Sequence, residues 1–177
     1  MVYVLLVDGF EEIEAIEPID IMRRAGIDVA TVGVNSKAVT GSHGIAVLAD
    51  IELAEVNPEE MEALVLPGGP GHELLDASDS VHNMIDNAHT RGIYIASICA
   101  APSIIGKKGL LDGKKATCFP GFEDKLYGSI ITGEKVTVDG QFITAKGAGA
   151  ASDFGFALVE ILRDKETSDK LRKVMQY

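Results

Sequence analysis

The feature that most constrains the fold of this chain is a set of strand-like segments that are apolar almost throughout, rather than at alternate positions. The clearest are Val2–Val7, Ala63–Leu66 and Ile93–Ile98. A strand of this kind is buried on both faces, as in a parallel sheet that is covered by helices on both sides. The segments between them have helical periodicity, so the chain predicts a three-layer α/β fold with a mostly parallel sheet.

Predicted strands and helices alternate along the whole chain. The other predicted strands are Ile27–Val34, two short strands within Ala38–Leu48, Lys115–Phe119, Glu134–Val138 and Gln141–Ala145. The predicted helices are Glu11–Ala25, one that begins at Asn57, Ser80–Arg91, one after Cys99, Ser152–Arg163 and Thr167–Met175. Asp139-Gly140 is typical of a two-residue hairpin turn. No linker or repeat interrupts the pattern, so we expect one domain over residues 1–177.

Composition excludes several classes of function. The net charge of −11 repels phosphate backbones and anionic lipid, so we expect no nucleic-acid partner. The apolar run Val2–Val7 is too short for a membrane span, which needs about 20 residues, and it lacks the basic flank of a signal peptide. The 2 cysteines do not suggest a disulfide framework, so we expect a cytoplasmic protein. No metal-ligand spacing is present, so we expect no metal and no cofactor.

Cys99 is the leading candidate for chemistry. It directly follows the apolar run Ile93–Ile98 and precedes a segment that begins a helix. Ligands of open α/β sheets bind at the carboxyl ends of strands, and a helix N-terminus favours an anion, so we expect a thiol there to tend toward thiolate. The alternative is that Cys99 is a small buried apolar residue, which describes most free cysteines. The second cysteine, Cys118, lies in a predicted strand and is expected to belong to the core.

A glycine pair and a carboxylic acid are expected at the same edge of the sheet. The backbone N–H groups of Gly68 and Gly69, together with that of Ala100, can form an oxyanion hole, although the pair can also be a simple turn. Glu14 shares a helical stripe with apolar residues, so we expect it to point inward. A buried carboxyl is either paired or protonated, and a protonated one can donate a hydrogen bond to a thiolate. The alternative is an ordinary acid in the first turn of a helix. Three other acids of this helix lie off the stripe and are expected to be solvated: Glu11, Glu12 and Glu17.

A histidine base for Cys99 is not evident. Cysteine hydrolases usually need one. His82 and His89 are expected to be solvated helix residues, and His43 lies in the predicted turn Thr40–Gly44. His72 is the only histidine in a loop that is expected near Cys99, and it is a weak candidate for a catalytic base or pocket residue.

The chain resembles the DJ-1/PfpI (ThiJ) family of the class I glutamine amidotransferase-like superfamily over nearly its whole length. The resemblance rests on these motifs: Gly9–Glu14, Asp20–Gly26, Leu66–Gly69, Ala96–Pro102 and Gly147–Gly149. It implies a flavodoxin-like three-layer α/β/α sandwich with small β-hairpins, in which Cys99 is the nucleophile-elbow cysteine and Glu14 hydrogen-bonds to it. It further implies a homodimer, with Gly69 and Ala100 facing the pocket and Arg24 and His43 near the dimer contact.

One position departs from the family pattern. Many relatives carry a histidine before the proline that follows the predicted strand Lys115–Phe119, where this chain has Phe119 before Pro120. A Cys–His pair of that kind is therefore absent. Its absence weakens a peptidase or amidotransferase function more than chemistry that depends on Cys99 and Glu14. By the same resemblance, Phe119 is a candidate pocket or dimer-contact residue.

Four hypotheses of function remain, of which the resemblance implies the first three. The first is a cofactor-independent, cysteine-dependent stress-response enzyme that acts on small 2-oxoaldehydes or their glycated adducts, as a glyoxalase or deglycase does. The second is a non-enzymatic redox sensor or chaperone. The third is a peptidase or amidotransferase-like hydrolase, and the fourth is an inert binding module.

Overall fold

The computed structural model describes all 177 residues and contains a central sheet between two layers of helices. The helices are α1 (Glu12–Arg24), α2 (His72–Asp76), α3 (Asp79–Thr90), α4 (Pro102–Lys107), α5 (Ala151–Leu162) and α6 (Lys165–Val174). The strands are β1 (Val2–Leu6), β2 (Val29–Gly33), β3 (Ala38–Thr40), β4 (Ala46–Leu48), β5 (Ile51–Glu52), β6 (Ala63–Leu66), β7 (Tyr94–Ile98), β8 (Lys115–Ala116), β9 (Ile130–Ile131), β10 (Val136–Asp139) and β11 (Phe142–Ala145). None of the helices is long and apolar enough to cross a membrane.

The main sheet has seven strands in the order β10-β11-β7-β6-β1-β2-β5, and every neighbouring pair is parallel except β10 with β11. The predicted α/β fold with a mostly parallel sheet is therefore confirmed. From β1 the chain goes to β2 on one side, and it later returns to β6 on the other side. The carboxyl ends of β1, β6 and β7 consequently flank the crevice in which open α/β sheets bind ligands.

The apolar strands are buried on both faces, as predicted. On one face, Val4 and Leu6 of β1 belong to a core that includes residues of α1 and Phe154 of α5. On the other face, Tyr3 and Leu5 belong to a second core that includes residues of α3 and α4. Burying this apolar area is the main driving force for holding the helices against the sheet, at about 25 cal/mol per Å².

Three predicted elements differ in the structure. Only Lys115–Ala116 of the predicted strand Lys115–Phe119 is a strand, because the next N–H groups bond elsewhere: that of Thr117 to the hydroxyl of Thr144 and that of Phe119 to the carbonyl of Cys99. Asn57 begins only a 3₁₀ turn, since β6 follows almost at once.

The third difference is in the hairpin of β10 and β11. Asp139 pairs with Phe142, so the turn residues are Gly140 and Gln141 rather than Asp139-Gly140. The positive φ of 61° at Gly140 suits that turn.

Candidate active site

Cys99 lies at the sharp turn between β7 and α4, in a strained backbone conformation. Its φ is 65°, in the left-handed region that residues other than glycine seldom adopt, which costs on the order of 1–3 kcal/mol. Two backbone hydrogen bonds hold it: its N–H donates to the carbonyl of Ala145 at 2.9 Å, and its carbonyl accepts from the N–H of Phe119 at 2.8 Å. The half-buried thiol is thereby fixed at the carboxyl end of β7.

Glu14 lies in the first turns of α1 and points inward, as its helical stripe predicts, with 1% of its surface exposed. Its Oε2 accepts the N–H of Gly68 at 3.0 Å, and its carboxyl also accepts the N–H of Ala148 and hydrogen-bonds to the Cys99 thiol. The helix after the first strand and the turn after β7 therefore bring the two groups into direct contact.

The two side chains shift each other's proton affinity. Burial raises the pKa of Glu14 to about 7, although the hydrogen bonds from Cys99 and the N–H of Gly68 oppose that rise. Burial and then the charge of Glu14 raise the pKa of the Cys99 thiol to about 12, against the N–H groups of Gly69 and Ala100. The predicted lowering of the thiol pKa is therefore wrong while Glu14 is charged, because burial and the carboxylate in contact together outweigh the two backbone N–H groups. Between the two ionisations the pair holds one proton.

The glycine pair has two separate functions rather than one. Gly68 donates its N–H to Glu14, so the prediction that it lines an oxyanion hole is wrong: its only N–H is already committed. Gly69, with a φ of 85°, and Ala100 direct their N–H groups at the Cys99 sulfur. These two donors can stabilise a negative charge on the sulfur or on the oxygen of a carbon that is bonded to the sulfur.

Replacing Gly68 with alanine is expected to destabilise the fold by about 1–3 kcal/mol or more and to disrupt the site. The new Cβ would lie 2.5 Å from Oε2 of Glu14, 2.6 Å from Cβ of Cys99 and 2.9 Å from the carbonyl oxygen of Ile98. Chemical denaturation measures the loss. Gly149→Ala is the matched control, because nothing lies within 4 Å of a Cβ there. Equal unfolding midpoints for both variants would contradict this account of Gly68.

The raised pKa of Glu14 predicts that folding stability falls as the pH rises from about 4.5 to about 7. In that interval the folded state holds a proton that the unfolded chain has released, so stability that is complete below the unfolded pKa is lost as the pH passes the folded pKa, at a total cost of about 3 kcal/mol. Glu14→Gln should remove this dependence. Urea unfolding of both proteins across the interval measures the difference, and parallel profiles would refute the prediction.

None of the four histidines hydrogen-bonds to Cys99 or Glu14. His72 is close in sequence to the glycine pair, but its Nδ1 is hydrogen-bonded to the carbonyl of Gly69 at 2.9 Å, and its ring packs edge-on against Phe122. His82 is partly buried and bonds to the carbonyl of Asp76, unlike the solvated residue that was predicted. His89 is exposed and stacks on Phe142.

His43 and Glu12 form a pair that the sequence did not predict. Glu12 is only 6% exposed, so the expectation that it is solvated is wrong. Its Oε2 lies 3.0 Å from Nδ1 of His43. Burial acts to raise the pKa of Glu12, but hydrogen bonds from the side chain and backbone of His43 lower it to about 2. Together with Glu11 they are the one group whose ligand atoms, within 4.8 Å of one another, could hold a metal ion.

Two candidates for the pocket or the dimer contact remain, Arg24 and Phe119. Arg24 is exposed and pairs with Asp20 one helical turn earlier, at 2.7 Å. Phe119 is 47% exposed and lies beside the site. A Cβ at Gly147 would come within 3.2 Å of its ring and 3.9 Å of Oε1 of Glu14.

Gly147 and Ala148 were not predicted as site residues. Ala148 supplies a backbone N–H to Glu14, and Gly147 leaves room beside it. The only sequence signal for them was the Gly147–Gly149 motif, because a backbone donor leaves no mark in the type of its side chain.

Comparisons with known proteins identify the family and agree with the fold. The model of the DJ-1/PfpI family matches residues 1–161. Protein DJ-1 homolog A of Arabidopsis thaliana is 36% identical over 98% of this chain, but the chain spans only 46% of that protein. Deglycase PfpI of Pyrococcus furiosus is 31% identical over 82% of this chain and 89% of its own.

A solved structure, Toxoplasma gondii DJ-1 in its oxidized form, superposes with a TM-score of 0.94 at 32% identity, covering 99% of this chain and 97% of its own. The sheet order, the placement of Cys99 and Glu14, and these matches together show that the chain belongs to the DJ-1/PfpI family.

Proposed function

We propose that the protein is a cysteine-dependent enzyme of the cytoplasm that needs no cofactor and acts on reactive 2-oxoaldehydes or their early protein adducts, as a glyoxalase or deglycase. The observation that carries the proposal is the Cys99–Glu14 pair, which holds one proton near neutral pH beside the N–H groups of Gly69 and Ala100. The lack of a histidine at this pair argues against a peptidase. Several Pyrococcus relatives carry the name deglycase, which supports the proposal.

The first step is addition of the Cys99 sulfur to the aldehyde carbon of the substrate. A carbon–sulfur bond forms, the thiol proton passes to Glu14, and the carbonyl electron pair moves to oxygen, where the N–H groups of Gly69 and Ala100 stabilise it. A proton returned to that oxygen gives a hemithioacetal.

Glu14 then moves protons between the two adjacent carbons. The former aldehyde carbon loses its hydrogen and is oxidised to a thioester, while the ketone carbon gains one and is reduced to an alcohol. Water cleaves the thioester, releasing a 2-hydroxy acid and the free thiol. The substrate supplies both the oxidised and the reduced carbon, so no external oxidant is needed.

Product analysis tests the proposal. Purified protein incubated with methylglyoxal and a metal chelator should form one lactate for each methylglyoxal consumed, measured by chiral chromatography. A parallel incubation with a fresh methylglyoxal–lysine adduct should release lactate and the amine. Absence of lactate in both reactions would contradict the proposal.

A second candidate function, redox sensing, is favoured by the same backbone donors. A Cys99 sulfinate would accept hydrogen bonds from Gly69 and Ala100, and a protonated Glu14 could donate one. Mass spectrometry after mild peroxide should then find Cys99 oxidised before Cys118, whose thiol is buried. Oxidation of Cys118 first would contradict this function.

We also propose that the protein is a homodimer, as the family resemblance implies. Three large apolar side chains are exposed close together on α1 and β4: Ile13 at 51%, Ile16 at 41% and Leu48 at 73%. Arg24 is the last residue of α1 and His43 lies in the turn before β4, and both are proposed to flank the contact. Light scattering should give twice the mass of one chain, and a monomer at micromolar concentration would contradict the proposal.

A further inference from the structure

We propose that Phe119 sets the substrate class of this site, so that it prefers 2-oxoaldehydes with an aromatic or large apolar substituent over methylglyoxal. The inference rests on the proposed function and specifies the substituent on the ketone carbon of the substrate. The supporting observation is the position of the Phe119 ring relative to the Cys99–Glu14 pair.

The backbone fixes Phe119 next to the nucleophile. Its N–H donates to the carbonyl of Cys99 at 2.8 Å, and its carbonyl accepts the N–H of Phe122 at 3.1 Å. The first bond is one of the two that hold the strained turn at Cys99. The ring is therefore tied to the same turn that positions the sulfur.

The Phe119 ring and the carboxyl of Glu14 both lie close to Gly147. A Cβ built at Gly147 would lie 3.2 Å from Cδ2 of Phe119 and 3.9 Å from Oε1 of Glu14. Oε2 accepts the Gly68 N–H, and Oε1 is the carboxyl oxygen on the Gly147 side. A substrate carbon that exchanges protons with Glu14 is therefore expected to have its substituent beside the Phe119 ring.

The Phe119 ring is not part of the hydrophobic core, unlike the phenylalanines of α5. It is 47% exposed, whereas Phe154 and Phe156 are fully buried. An exposed ring can bury apolar area against a substrate, and aromatic pairs in offset or edge-to-face contact gain further stability. A phenyl substituent is thus expected to bind about tenfold more tightly than a methyl group.

Phe119 can bind but cannot transfer protons. An aromatic hydrocarbon neither donates nor accepts a proton at neutral pH, so proton transfer remains with Glu14. A residue that contributes only binding changes KM and leaves kcat nearly constant. A structural role at the Cys99 turn would instead lower kcat for every substrate, because it would displace the sulfur.

The experiment compares phenylglyoxal with methylglyoxal as substrates of the wild type, Phe119→Leu and Phe119→Ala. The wild type should show a KM for phenylglyoxal about tenfold lower than that for methylglyoxal. Phe119→Leu should lose part of this ratio and Phe119→Ala most of it, mainly because the KM for phenylglyoxal rises. Because each ratio is compared across variants, the different intrinsic reactivities of the aldehydes cancel.

Two results would overturn the inference: an unchanged KM ratio in Phe119→Ala, or an equal loss of kcat with both substrates. Binding of the products, mandelate and lactate, to the wild type and Phe119→Ala by calorimetry separates this inference from the proposed function. Turnover of both aldehydes with no effect of Phe119 refutes only the inference. No turnover, with mandelate bound more tightly through Phe119, refutes the enzymatic function and leaves the aromatic subsite.

Discussion

Replacing Cys99 with serine is expected to lower kcat/KM for methylglyoxal by about 10³-fold or more. Serine fits the same turn and keeps the backbone bonds to Ala145 and Phe119. Its hydroxyl is a far weaker nucleophile at neutral pH, and no histidine is present to activate it. The folded structure should persist, as judged by an unchanged thermal unfolding midpoint within a few degrees.

Cys118→Ala is the matched control for this variant. Cys118 is the only other cysteine and is buried, and burial, followed by the charge of Glu123, raises the pKa of its thiol to about 11. Its removal should cost some stability but leave kcat/KM within about threefold of the wild-type value, since other groups carry the chemistry. If Cys99→Ser kept a tenth of the activity, or if Cys118→Ala lost it, the assignment of Cys99 as nucleophile would be wrong.

Glu14→Gln is expected to lower kcat by about 10²–10⁴-fold, the usual contribution of a positioned acid or base. Glutamine retains an oxygen to accept the N–H of Gly68, so the geometry of the site is preserved. It cannot take the proton of Cys99 or carry protons between substrate carbons. Steady-state kinetics with methylglyoxal between pH 5 and 9 measure the loss and whether the ionisation near pH 7 has disappeared.

Glu17→Gln is the control on the same helix. Glu17 accepts a hydrogen bond from the hydroxyl of Tyr177 and does not contact Cys99. This variant should keep the wild-type rate and pH profile. Wild-type kcat in Glu14→Gln would show that Glu14 is a structural acid and not a proton carrier.

Local periodicity was sufficient to place the two principal residues. The apolar stripe of α1 predicts the inward direction of Glu14, because the 3.6-residue repeat fixes which side chains share a face. The end of an apolar strand likewise predicts the position of Cys99. Both predictions concern groups whose location is set by their own segment of chain.

Burial, hydrogen-bond partners and pKa values that depend on contacts between distant parts of the chain could not be predicted from local sequence patterns. Glu12 is buried because the turn between β3 and β4 packs against it: a Cβ at Gly41 would clash with its Oε1, and His43, 31 positions away, hydrogen-bonds to it. The sequence also predicts the N–H of Gly68 as an oxyanion donor, because local sequence does not reveal its true acceptor. That acceptor, Glu14, is 54 positions away. The direction of the Cys99 pKa shift differs from the prediction for the same reason: the helix N-terminus is local, but the burial of the thiol and its contact with the Glu14 carboxylate are tertiary.

The most direct test of the account is the rate of Cys99 alkylation by iodoacetamide as a function of pH, in the wild type and in Glu14→Gln, with Cys118→Ala in both backgrounds. If the two groups share one proton, the wild-type rate should rise in a step near pH 7, where Glu14 titrates, and rise again only in strongly alkaline solution. The step near pH 7 should be absent from Glu14→Gln. Superimposable profiles with one midpoint near the free-thiol value of about 8.5 would contradict the account.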